Sequence, residues 1–283
     1  MKRRTFTISA AATVTGLAAA TLLTHSAQAT DVASAAPAAK PTVVLVHGAW
    51  SDASGWKGVT KRLQADGYKV TAPAVPLRGL SSDAQYLADY LKTISGPIVL
   101  VGHSYGGSVI TQAATGNSHV SALVYAAAFA PDNGENASAL TAKFPGSHIS
   151  DDPNAQIPTA LNPAPFDDNG TTNVDLYIKT DKFRDVFLSN RVSSREASAL
   201  AAAQRPVTPQ ALGEPSGTPA WKTIPSWFLV ASDDHLIPPA AERFMANRAH
   251  AHKSEVDAPH NVLLTNPGAV SHVIEQAART TAK

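Results

Sequence analysis

The segment Gly96-Pro97-Ile98-Val99-Leu100-Val101-Gly102-His103-Ser104-Tyr105-Gly106-Gly107 leaves the chain few ways to fold. Gly-Pro reads as a turn. Four aliphatic residues without polar alternation predict a strand buried on both faces, as in a parallel sheet. A helix-like pattern opens at Ser108, so Ser104 falls at a sharp corner between strand and helix. Gly102 and Gly106 flank that corner, where a side chain would block the close passage of the backbone. The corner exposes the hydroxyl and sets it near the positive end of the helix dipole.

Residues 1–29 read as an export signal and not as part of the fold. Lys2-Arg3-Arg4-Thr5-Phe6 is a charged start with the twin-arginine pattern, an Ala/Thr/Leu-rich stretch follows, and Ala27-Gln28-Ala29 is an A-x-A cleavage site. The predicted location is therefore secreted or periplasmic. The apolar stretch is too weakly hydrophobic for a membrane span, so no stable membrane anchor is expected. Residues 30–40 are Ala/Pro-rich and read as a disordered leader. The chain has 23 basic and 22 acidic residues. Removing Lys2, Arg3 and Arg4 leaves 20 against 22, about −2, with no basic stripe to bind nucleic acid. Cysteine is absent, which excludes disulfides and thiolate metal sites.

From residue 41 to 283 the pattern fits one α/β domain. Strands are predicted at 42–46, 69–72, 98–101, 120–127, 226–231 and 254–256. Helices are predicted near 54–65, 81–93 (capped by Ser81-Ser82-Asp83), 239–249 and 267–278. This alternation predicts a mostly parallel, doubly wound sheet with helices on both faces. Residues 131–224 break it. They are rich in Pro, Asn, Asp, Gly and Ser, with helix-like islands near 136–143, 173–189 and 194–204. They read as an inserted cap that covers the site and shapes its pocket.

A nucleophilic Ser104 needs a base and a group to orient that base, both from loops at the carboxyl ends of later strands. Asp233-Asp234 and His260 occupy such loops, in the order Ser, Asp, His. Asp234 is preferred to Asp233, because Asp234-His235-Leu236-Ile237-Pro238 puts the acid at the loop tip and a proline at the helix start. Asp132 and Glu135 are a less favoured source of the acid. Backbone N–H groups of Ala49 and Tyr105 are the expected oxyanion donors, with Gly48 letting the first loop approach. The other histidines have plainer readings: His103 packs behind the corner, His47 braces its loop and His235 lies on the loop surface. His250 and His252 sit at a helix end, and His119, His148 and His272 fall in no pattern. Trp50, Tyr105 and Phe129 are expected at the substrate pocket. Phe144, Phe166, Tyr177, Phe183, Phe187 and Trp221 either line its cap side or fill the core.

VLVHGAW at 44–50, GHSYGG at 102–107, DHLIP at 234–238 and PH at 259–260 resemble the α/β-hydrolase superfamily. More closely they resemble the branch of plant methyl-ester esterases and hydroxynitrile lyases with its bacterial esterase-like relatives. The resemblance covers about residues 41–130 and 222–281, and implies an α/β-hydrolase fold with Ser104, Asp234 and His260 as triad. It implies a serine esterase acting on small-molecule esters through an acyl-enzyme, with no cofactor and no metal. Lactones or amides would suit the same parts. Hydroxynitrile lyases of that branch carry Thr at the position of Gly48 and Lys at that of Asn261, so a lyase or C–C bond-cleaving activity is the lesser expectation. An idle triad in a binding protein is a third.

Overall fold

A computed structural model describes Thr13 and residues 40–281. The expected export signal and leader otherwise lie outside the described residues. β1 (Thr42–Val46) leads through a short 3₁₀ turn at 53–56 into α1 (Lys57–Ala65). β2 (Val70–Thr71), α2 (Leu80–Leu91), β3 (Ile98–Ser104), α3 (Tyr105–Ala113) and β4 (Val120–Ala128) follow. The chain then leaves the sheet for α4 (Ala137–Ala142), β5 (Leu161–Asp168), β6 (Thr171–Ile178), α5 (Thr180–Val186), α6 (Ser194–Ala202) and α7 (Pro209–Gly213). It returns with β7 (Ser226–Ala231), α8 (Pro239–Arg248), β8 (His252–Val256), α9 (Val262–Thr265) and α10 (Pro267–Thr281).

Six strands form one sheet in the order β2-β1-β3-β4-β7-β8, and every neighbouring pair runs parallel. Side chains alternate between its faces. Val43, Leu45, Val99, Val101, Val124 and Leu229 pack with Val59 and Leu63 of α1, Leu263 of α9 and Ile274 of α10. Val44, Val46, Leu100, Leu123, Phe228 and Val230 pack with α2, α3 and α8 and with apolar residues of the 129–225 excursion. Both faces are covered, which is why the strands read as continuous apolar runs.

Two local expectations fail. Ser81, Ser82 and Asp83 do not precede α2 but lie in its first turn, after Gly79 at the N-cap. Asp83 turns inward, accepting the Tyr105 hydroxyl at 2.8 Å and the Arg78 N–H at 3.3 Å. The island at 173–189 is not one helix. Its first part is β6, paired antiparallel with β5 from Leu161↔Ile178 to Asp168↔Thr171. Asn169 and Gly170 make the turn with φ of 53° and 84°, the two positive values of a two-residue hairpin turn. Pro163 and Pro165 are tolerated because β5 pairs on one side only.

Candidate active site

β3 is buried along all seven residues and delivers Ser104 to the rim of the sheet. There the backbone turns abruptly: Ser104 has φ 54° and ψ −127°, and Tyr105 already opens α3. This strained conformation persists because its surroundings permit no other. A Cβ at Gly102 would stand 2.6 Å from the Gly106 carbonyl oxygen, and one at Gly106 2.5 Å from that of Val46. The flanking glycines are thus a steric requirement. The loop after β1 presses on the same corner, since a Cβ at Gly48 would meet Ser104 Cβ at 2.5 Å. Ala49 follows directly, and with Tyr105 at the start of α3 it lines the same cavity as Ser104.

His260 reaches this corner from the loop after β8. Its Nε2 lies 2.9 Å from Ser104 Oγ and its Nδ1 2.6 Å from Asp234 Oδ2. The Asp234 contact fixes the proton on Nδ1, which leaves Nε2 to accept from the hydroxyl. Asp234 Oδ1 accepts the N–H groups of Leu236 at 2.7 Å and Ile237 at 2.8 Å. All three side chains are buried. Asp233 points elsewhere: its carboxylate pairs with Arg191 at 2.7 Å. Asp132 and Glu135 are also committed, to Lys222 and Arg248.

Buried polar groups support the centre. His103 Nε2–H donates to the His260 carbonyl at 2.9 Å, and its ring packs edge-on to Trp56 and Phe187. Burial pushes its pKa down to about 3, helped by the neighbouring His260, so it stays neutral. His47 accepts the Val75 N–H at Nε2 and donates from Nδ1 to the Gly48 carbonyl, both at 2.9 Å. Burial lowers its pKa as well. Glu242 of α8 is buried beside Asp234. Burial first, then the Asp234 charge, raises its pKa well above the usual carboxylate range. Asp83 is raised by burial too, and the Tyr105 phenol that it accepts is driven up by desolvation.

A cavity of about 360 Å³ opens over Ser104. Ala49, Trp50, Tyr105 and Phe129 line it from the sheet side; Phe144, Ile149 and Leu161 are among the residues closing it from above. The cap wall comes mainly from α4 and the loop at 143–160, of which the aromatic content of the sequence singled out Phe144 alone. Phe166, Tyr177, Phe183, Phe187 and Trp221 are not on this wall. Phe183 and Phe187 are core residues, and Trp221 donates its indole N–H to the Pro131 carbonyl at 3.0 Å. Trp50 also ties cap to sheet, donating its Nε1–H to Leu176 at 2.9 Å and its backbone N–H to Arg205 at 3.0 Å.

His235 lies on its loop as expected, but it and His148 also share a partner. The His235 side chain is 25% exposed, and both imidazoles hydrogen-bond to Asp185 of α5.

Residues 43–273 match the model of the alpha/beta hydrolase family. The chain belongs to that family. It is 28% identical over 263 residues to an alpha/beta hydrolase of Aspergillus novofumigatus, covering 84% of this chain and 97% of that one. It is 26% identical over 226 residues to methylesterase 1 of Arabidopsis thaliana, covering 73% and 83%. The solved structure of polyneuridine aldehyde esterase superposes with a TM-score of 0.69 at 18% identity, over 84% of this chain and 99% of that one. The family's parallel sheet and its branch with plant methylesterases both agree with the resemblance read from the sequence. Among the described residues, no helix is long and apolar enough to cross a membrane.

Proposed function

We propose that this α/β hydrolase is an exported serine esterase that cleaves small, largely apolar carboxylic esters. The observation that carries the reading is the continuous hydrogen-bonded line Ser104–His260–Asp234, at 2.9 and 2.6 Å. Ser104 Oγ attacks the acyl carbon as His260 Nε2 takes its proton. Asp234 holds the imidazole in the required tautomer and stabilises the imidazolium. The N–H groups of Ala49 and Tyr105 receive the oxyanion, the latter helped by the positive end of α3. His260 then returns the proton to the leaving alcohol, and water, activated by the same base, releases the acid from Ser104.

The chemistry of the cavity supports the substrate class. Most of its named lining is apolar, and Asp152 is its one charged residue among those described. Among the described residues no Lys or Arg lines the pocket to hold a carboxylate on the substrate, which favours neutral esters over anionic ones. Export rests on Lys2-Arg3-Arg4 and Ala27-Gln28-Ala29.

The deciding experiment is Ser104→Ala assayed on p-nitrophenyl esters, with thermal unfolding as the control for folding. Turnover is expected to fall by at least about 10⁴-fold, and a variant that retains activity refutes the assignment. Labelling of the wild type by a fluorophosphonate, with the adduct on Ser104, checks the acyl-enzyme step. Cyanide release from a cyanohydrin would favour the lyase reading instead.

A further inference from the structure

His148, Asp185 and His235 are far apart in sequence and meet beside the acid loop. His148 belongs to the loop after α4, Asp185 to α5, and His235 follows Asp234 directly. His148 Nδ1 lies 2.8 Å from Asp185 Oδ2, and His235 Nδ1 lies 3.0 Å from Asp185 Oδ1. One ligand atom from each residue falls within 4.8 Å of the other two. The two rings face each other with centroids 4.0 Å apart. Backbone contacts keep them together: the His148 N–H donates to the His235 carbonyl at 2.7 Å, and the Ser147 hydroxyl to that of Leu236 at 2.8 Å.

We propose that these three side chains form a binding site for a divalent transition-metal ion such as Zn²⁺ or Ni²⁺, which staples the cap to the loop carrying Asp234. Two imidazoles and one carboxylate suit such ions, whereas Ca²⁺ and Mg²⁺ require oxygen donors throughout. With bonds of about 2.0–2.1 Å, ligand atoms around a tetrahedral ion stand about 3.3 Å apart. The three ligand atoms, one from each residue, lie within 4.8 Å of one another, so they need draw together by no more than about 1.5 Å.

The protons can be rearranged without net loss. Each imidazole donates from Nδ1 to Asp185 in the metal-free form. Binding moves that proton to Nε2 and frees the Nδ1 lone pair. For His235 an acceptor stands nearby, since Asp233 Oδ1 is 3.6 Å from Nε2. Asp233 is itself held by Arg191 at 2.7 Å. A carboxylate behind a metal-bound imidazole is the usual outer support. Asp185 Oδ1 also accepts Asn190 Nδ2–H at 3.0 Å, which orients its carboxylate. The side chains of His148, Asp185 and His235 are 45%, 37% and 25% exposed. An ion can therefore enter from solvent, and water can complete its coordination.

The site is tested by isothermal titration of the chelator-treated, dialysed full chain with ZnCl₂, a readout independent of ester turnover. One ion per chain is expected, with a micromolar Kd. His148→Ala and His235→Gln each weaken it at least tenfold, while His252→Ala, at the start of β8 and stacked on Trp227, leaves it unchanged. The Tm rises with Zn²⁺ in the wild type and in His252→Ala but not in the two site variants. Melts without metal check that those variants fold. Lack of saturable one-to-one binding by the wild type overturns the proposal, whatever the variants do. Undiminished binding in folded His148→Ala overturns it equally.

Discussion

β3 buries all seven of its residues, whereas β5, in the cap, buries one of eight. The central sheet is packed on both faces by helices. The cap rests on a short hairpin, brief helices and discrete polar ties, such as the Trp50 indole to Leu176 and the Arg191 guanidinium to Asp233 and Asp257. A side chain at the rim of the sheet inherits the rigidity of the core beneath it. Part of the cap is anchored in the same core, through Phe183 and Phe187, but the largely exposed β5 and the loop at 143–160 carry fewer such constraints and can vary in kind without disturbing Ser104. On the proposed function, the chemistry belongs to the sheet and the selectivity to the cap.

That division breaks first at the acid loop. Asp234→Asn should lower kcat by about 10⁴-fold by spoiling the imidazole tautomer. Asp233→Asn, which loses only a partly exposed ion pair, should cost no more than about fivefold. Equal losses in steady-state kinetics would erase the distinction between the two neighbours.

Glycine substitutions compare the two regions directly in denaturant unfolding. Gly106→Ala puts a Cβ 2.5 Å from a β1 carbonyl and should destabilise by about 3 kcal/mol. Gly213→Ala in the cap meets nothing within 4 Å. It should leave stability the same or raise it by up to ~1 kcal/mol.

A pH series probes the packing behind the sheet. Folded His103 stays neutral down to about pH 3, whereas an unfolded imidazole protonates near 6.5. Below pH 6.5 the unfolded state binds more protons, so stability falls as pH falls. By pH 5 this amounts to about 2 kcal/mol, with His47 acting in the same direction. His103→Gln should lose less stability between pH 7.5 and pH 5 than the wild type does. Parallel curves for the two proteins would show that His103 does not set the slope.

The cap wall is tested by substrate choice. Phe144→Ala enlarges the cavity. It should change the ratio of kcat/KM between long-chain and short-chain esters about tenfold, in favour of the longer. An unchanged ratio would move the selectivity elsewhere in the pocket.

The strands of the sheet were legible because unbroken aliphatic runs ended by turn residues admit few other structures. The elbow was legible for the same local reason, through Gly102, Ser104 and Gly106. The β5–β6 hairpin was missed, although Asn169-Gly170 is a strong local signal for one. The prolines at 163 and 165 and the weak alternation obscured the strand before it. The preference for Asp234 rested on spacing, and the structure supplies a reason in the N–H groups of Leu236 and Ile237. Asp83 as a buried partner of Tyr105 had no local signal at all, since a Ser-Ser-Asp run near a helix start resembles a cap.

By itself the sequence determined the parallel sheet, the serine corner and the chain order of its partners, because each is written within a few neighbouring residues. Only the tertiary structure decided which carboxylate meets His260, which residues wall the cavity, and that His148, Asp185 and His235 converge. Together with Ser104–His260, those contacts join side chains as far apart as 156 positions. Their meeting depends on how whole layers pack, which no local pattern encodes.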